Sequence, residues 1–143
     1  MPNPQVFEDI AENFEFLDDW EDRYRYVIEL GKEMPALDDA RRTQASKVDG
    51  CASQVWLVPE VTDGSNGAEL HFEGDSDAMI VRGLIAVLIA LVSGRTLADI
   101  RGLDIRAELG RLQLDQALSS QRSNGLKAMV TRIEDIARSS QAA

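Results

Sequence analysis

The chain has 143 residues, 44% of them hydrophobic and 28% charged, and a formal net charge of −10. That size and balance fit one soluble globular domain over residues 1–143, with room for a proper core. The acidic excess argues against nucleic acid, whose phosphates need a basic face, and against anionic membrane surfaces. A lone cysteine, Cys51, leaves no internal disulfide, and with the lone histidine, His71, it falls short of the ligand set of structural zinc.

No secretory signal pattern is visible at the start, so a reduced cytoplasmic setting is the expectation. From Val6 to Leu17 the residues Phe7, Ile10, Ala11, Phe14 and Leu17 recur at helical spacing. Asp18 reads as the N-cap of a second helix, with Glu21 completing a capping box. That helix carries Trp20, Tyr24, Val27, Ile28 and Gly31 on one stripe and stops at Met34, before Pro35. Residues 35–46 lack a period, and Asp38-Asp39 and Arg41-Arg42 suggest a solvated loop that leads to Cys51.

Lys47-Val48 is a short β lead-in, and Asp49-Gly50 is a turn signal. Gln54–Val61 reads as a strand whose Pro59 implies an edge or a bulge. Thr62–Gly67 is a turn cluster, and Ala68–Glu73 alternates, with Leu70 and Phe72 on one face. The pair is an antiparallel hairpin with one dry face. Ala78–Val92 is strongly apolar apart from Arg82 and Gly83. At about 1.5 Å per residue it is too short for a hydrocarbon core of about 30 Å, so it is a buried helix. Ser76 or Asp75 would cap it and Gly94 would close it, while Gly83, Ala86 and Ala90 would admit close neighbours. Thr96 caps a short helix over Leu97–Arg101, Arg106–Leu114 forms another, and Ser119–Asn124 leads into a last helix carrying Leu126, Met129, Val130, Ile133 and Ala137.

The sequence contains no phosphate loop, dinucleotide fingerprint, EF-hand spacing or nucleophile elbow. Cys51 and His71 could form a hydrolytic pair, but His71 falls on the polar strand face beside Glu69 and Glu73, where a solvated histidine is the plainer reading. A buried, inert cysteine is the plain reading of Cys51 itself. The alternative is a reactive thiol, since small polar neighbours and a turn surround it. One thiol needs no metal or cofactor to accept a sulfur atom, because a thiolate attacks the outer sulfur of a persulfide and displaces a thiol. Arg41, Arg42, Lys47, Arg122 and the helix N-terminus near Ser76-Asp77 are candidates for stabilising such a thiolate.

Four stretches, in order, carry a family resemblance. They are Asp19-Trp20-Glu21-Asp22-Arg23-Tyr24 with Ile28-Glu29-Leu30-Gly31; Val48-Asp49-Gly50-Cys51-Ala52-Ser53-Gln54-Val55-Trp56; Gly74-Asp75-Ser76-Asp77-Ala78 with Ile80-Val81-Arg82-Gly83-Leu84; and Arg122-Ser123-Asn124-Gly125-Leu126. Over nearly its whole length the chain resembles the SufE family (SufE/CsdE-like), the sulfur-acceptor partners of cysteine desulfurases. Pro59-Glu60, the Thr62–Gly67 turn and His71 match no family pattern.

The resemblance implies one SufE-like domain with an α+β, SufE/IscU-like fold, in which a small antiparallel three-stranded sheet packs against helices. It implies that Cys51 is the persulfide acceptor, supported by Gly50, Asp75 and Arg122, with Asp75 and Arg122 near the cysteine segment. The resting thiol would be sheltered in an apolar pocket and exposed on docking. The implied partners are a SufS- or CsdA-like cysteine desulfurase and a SufBCD-like iron–sulfur scaffold complex, and a homodimer is compatible with both. Pyridoxal phosphate belongs to the desulfurase, so no cofactor and no metal are expected on this chain, which is a sulfur-transfer accessory protein rather than an enzyme. On residues alone, Asp75 reads equally as an N-cap and Arg122 as a surface arginine. A docking-only activator with a structural Cys51 stands as the alternative function.

Overall fold

A computed structural model of the protein describes residues 4–44, 46–48, 54–114 and 118–139. The chain begins with two helices, α1 (Pro4–Phe16) and α2 (Trp20–Glu33). The expected stripe of α1 is its buried face, with Phe7, Ile10, Ala11 and Phe14 all in the core. The cap of α2 is one residue later than the capping-box reading placed it: Asp19, not Asp18, accepts from the Glu21 N–H. Met34 ends α2 in an extended conformation, as a residue before proline should.

A single 3₁₀ turn, Asp39–Arg41, interrupts the next loop. Strands β1 (Val55–Gly64) and β2 (Gly67–Ser76) then form an antiparallel hairpin in unbroken register, from Val55 opposite Ser76 to Gly64 opposite Gly67. The turn is only Ser65-Asn66, shorter than the expected cluster, and Gly67 takes a positive φ of 123° that a side chain would resist. Leu57, Leu70 and Phe72 point into the core.

The expected third strand is absent among the described residues. Lys47 makes one isolated bridge with Trp56, flanked by bonds from Val48 N–H to Val55 C=O and from Leu57 N–H to Ser46 C=O, both at 2.8 Å. Along that outer edge of β1 the next donor position falls at residue 59. Pro59 has no N–H to extend the pairing, and the lead-in itself turns away, with the Ser46 and Lys47 N–H groups both donating to Thr43 C=O; β1 carries no bulge. The other edge is met by a single bridge between Glu69 and Thr96.

Helix α3 (Met79–Val92) is the buried centre of the molecule, and α4 (Leu97–Gly102), α5 (Ile105–Gly110) and α6 (Ser120–Ser139) follow. Thr96 caps α4 through the Asp99 N–H, as expected. The polar run expected to precede α6 lies largely inside it, because Ser119 Oγ accepts from the Arg122 N–H and starts the helix early. No helix of the described residues is long and apolar enough to cross a membrane.

Helices α2 and α3 touch backbone to backbone. A Cβ on Gly31 would lie 2.6 Å from Gly83 N, and one on Gly83 would lie 2.0 Å from Val27 O. Neither obstacle is a side chain that can swing away. Alanine in place of a helical glycine gains about 1 kcal/mol of intrinsic propensity, whereas overpacking costs about 1–3 kcal/mol. Gly83→Ala is therefore expected to lower the denaturant midpoint, while Gly102→Ala, with nothing within 4 Å of its Cβ, should hold or raise it.

Candidate functional site

Gly50 and Cys51 lie outside the described residues, in the segment 49–53. What is described is the frame on either side. The Val48–Val55 hydrogen bond and the Lys47–Trp56 bridge make a short stem that pins the two ends of that segment together. On the far side Asp77 holds Gln54 by both of its backbone groups: Gln54 N–H donates to Asp77 Oδ1 at 3.1 Å, and Asp77 N–H donates to Gln54 C=O at 3.4 Å. The N-terminus of α3 follows two residues later, at Met79, with Ser76 Oγ accepting from the Ala78 N–H.

Next to this stem sits a buried carboxylate. Asp75 stands opposite Trp56 in the hairpin, and its side chain is 1% exposed. It does not cap α3. Its Oδ2 accepts from Leu37 N–H at 3.0 Å and Arg42 Nη2 at 2.7 Å, and its Oδ1 accepts from Ser76 N–H at 2.8 Å and from Arg82 Nη1. Arg82 extends the network to the end of α2, donating to Met34 C=O at 2.6 Å and Gly31 C=O at 3.2 Å. The Arg42 guanidinium lies 5.7 Å from the centroid of the Trp56 ring. One acidic side chain thereby joins the end of α2, the 35–42 loop, β2 and α3 at the base of the cysteine-bearing segment.

The loop read as solvated is in part an anchor, since Leu37 is buried and Arg42 is held against Asp75 and Trp56. Arg41 bonds Glu73. Of the candidate cations, Arg41 and Arg42 are therefore engaged in ion pairs around β2, and Lys47 is a member of the stem. Arg122 donates to Tyr24 Oη at 3.2 Å, with its guanidinium 5.9 Å from the Tyr24 ring. The residue of α6 that reaches the lead-in is Arg132, whose Nη1 donates to Lys47 C=O at 3.4 Å. It lies about 15 Å along the helix from Arg122.

Sequence motifs did not single out Arg82 or Arg132 as site residues, and they offered Arg42 only as a cation for the thiolate. Arg82 did carry a signal: one charge inside an apolar helix must find a buried partner. His71 stands opposite Glu60, five residues up the hairpin from Val55, and its Nε2 meets Glu69 Oε1 at 3.3 Å. Among the described residues no cluster of His, Cys, Asp and Glu could hold a metal ion.

The α+β frame, with one hairpin packed on helices and a cysteine-bearing connection clamped at its open end, defines the class of the protein. The chain matches the family model SufE, Fe-S metabolism associated domain, over residues 8–137, and it belongs to that family. It is 51% identical to an uncharacterised SufE-like protein of Rhizobium meliloti (strain 1021), over 87% of this chain and 89% of that one. It is 43% identical to the sulfur acceptor protein CsdE of Escherichia coli (strain K12), over 90% of this chain and 92% of that one. Its fold is similar to the solution structure of a hypothetical protein from Thermus thermophilus, with a TM-score of 0.75 across the whole of both chains at 17% identity.

Burial raises the pKa of Asp75, but the Leu37 N–H, Arg42, the Ser76 N–H and Arg82 together outweigh it, and the carboxyl is held below the usual range. A pKa depressed in the fold means stability that is present above the unfolded value of about 4 and lost as pH falls through the folded value. Asp75→Asn leaves Arg82 without its counter-charge and Arg42 with Asp39 alone, and breaking a buried pair in this way typically costs about 3–5 kcal/mol. Denaturant midpoints should show a wide gap between wild type and Asp75→Asn at neutral pH, narrowing once the wild-type carboxyl protonates in acid.

Proposed function

We propose that the protein accepts sulfur on Cys51 from the persulfide of a cysteine desulfurase and passes it on toward iron–sulfur cluster assembly. Cys51 gives up its proton, and the thiolate attacks the outer sulfur of the partner's persulfide. A new S–S bond forms on Cys51, the partner's S–S bond breaks, and the departing thiolate takes up a proton. The partner is thereby reduced to a thiol and Cys51 is oxidised to a persulfide, with no outside oxidant. By clearing the partner's persulfide, the protein stimulates it.

The observation that supports this reading is the stem itself, which pairs the described flanks of the segment that holds the chain's sole cysteine, with Asp75 opposite Trp56 of that stem. The similarity to CsdE, which is named a sulfur acceptor protein, supports the same chemistry. On this reading Asp75 holds the base of the segment and Arg122 orders the start of α6 against α2. The chain itself needs no cofactor, since pyridoxal phosphate is the desulfurase's. The receiving protein is a SufBCD-like scaffold complex.

Incubation with a cysteine desulfurase and cysteine should add the mass of one sulfur atom to the intact protein, removable by reductant. Cys51→Ser should gain no sulfur and should leave the desulfurase at its unstimulated rate. Full stimulation by Cys51→Ser would instead mean activation by docking alone, and the relay would be abandoned.

A further inference from the structure

The α1–α2 corner exposes large aromatic surface for no reason internal to the fold. Phe16 is 84% exposed and Trp20 52% exposed, on either side of the short Leu17–Asp19 connection. Trp20 continues the stripe of α2, but the buried part of that stripe is Val27 and Gly31, two turns further on. Isolated apolar residues on a surface need no explanation, but two large aromatics of this exposure lie four residues apart at one corner of the chain.

The charge around the patch selects what could cover it. Glu12, Glu15, Asp18 and Glu21 are all exposed, and the sequence contains no Lys or Arg before Arg23. Arg25, at the margin of the adjoining groove between Asn13, Leu17 and Tyr26, is paired with Asp22 at 3.4 Å. A second copy of this chain, at net charge −10, would bring like charge against like. Nucleic acid and anionic lipid fail for the same reason. A protein with an apolar cleft ringed by Lys and Arg fits, and Trp is among the residue types that dominate such contacts.

We propose that this corner is a second docking point for the cysteine desulfurase, inserting Phe16 and Trp20 into a basic-rimmed apolar cleft on that enzyme. The inference rests on the sulfur-acceptor reading above. Its geometry is feasible. Trp20 and Met34, whose carbonyl binds Arg82, are separated by about 20 Å along α2. An interface of ordinary size covers about 800 Å² per partner, a patch roughly 30 Å across, which exceeds that separation.

The test is titration calorimetry of the full-length protein into the desulfurase from the same cell, at low and at high salt. Phe16→Ala/Trp20→Ala should weaken binding by about tenfold or more, with the thermal midpoint of the free protein unchanged. Glu12→Gln/Glu15→Gln/Asp18→Asn should also weaken binding and should flatten its salt dependence. Wild-type affinity in both variants would overturn the corner and leave the acceptor reading intact. If the wild type does not bind the desulfurase at all, both fall together. A wild-type dimer in sedimentation that Trp20→Ala dissolves would make a second copy the occupant and would also overturn the proposal.

Discussion

The buried carboxylate of Asp75 is the constraint on which this structure turns. It takes hydrogen bonds from two arginines and two backbone amides that reach it from separate parts of the chain. A buried charge is tolerable only when fully compensated, so each donor is in effect fixed by the needs of the others. The 35–42 loop has no regular structure beyond one 3₁₀ turn, yet its path is set because Leu37 and Arg42 must both face Asp75. The ends of α2 and α3 are tied to the same point through Arg82.

A contact of a different kind sets the layout around that point. The glycine pair Gly31 and Gly83 lets α2 and α3 approach at backbone distance, which brings the C-terminal carbonyls of α2 within reach of the Arg82 guanidinium. Close packing and polar satisfaction therefore depend on each other. Bulk at either glycine would push the carbonyls of Gly31 and Met34 away from their donor and leave them to be satisfied in other ways.

Much of this frame was legible in the sequence because it is periodic. The stripe of α1 from Phe7 to Phe14, the alternation in β2, the apolar run of α3 and the Thr96 cap all depend on neighbours within a few residues, and they were found where expected, whereas of the α2 stripe only Val27 and Gly31 are buried. The third strand was a family-level expectation. One residue that limits it, Pro59, was visible, but the consequence required knowing which edge of β1 its missing N–H would face and that the lead-in turns away at Thr43. The Asp75 network escaped for a similar reason. Its partners are 38, 33 and 7 residues away, and no local pattern says that an Asp reading as a helix cap will be claimed by distant arginines. Trp20 shows the converse error: helical spacing assigns it to a face, but only the placement of α3 decides that this face is uncovered at that end.

The shortness of the stem has a consequence of its own. The stem contributes two backbone hydrogen bonds at one bridge, beside the Asp77 bonds to Gln54, whereas the hairpin next to it pairs all the way from Val55 to Gly64. Sub-global opening proceeds in cooperative units, and a unit this small can part while the larger one stays zipped. The amides of Val48 and Leu57 should then exchange with solvent through an event less costly than global unfolding.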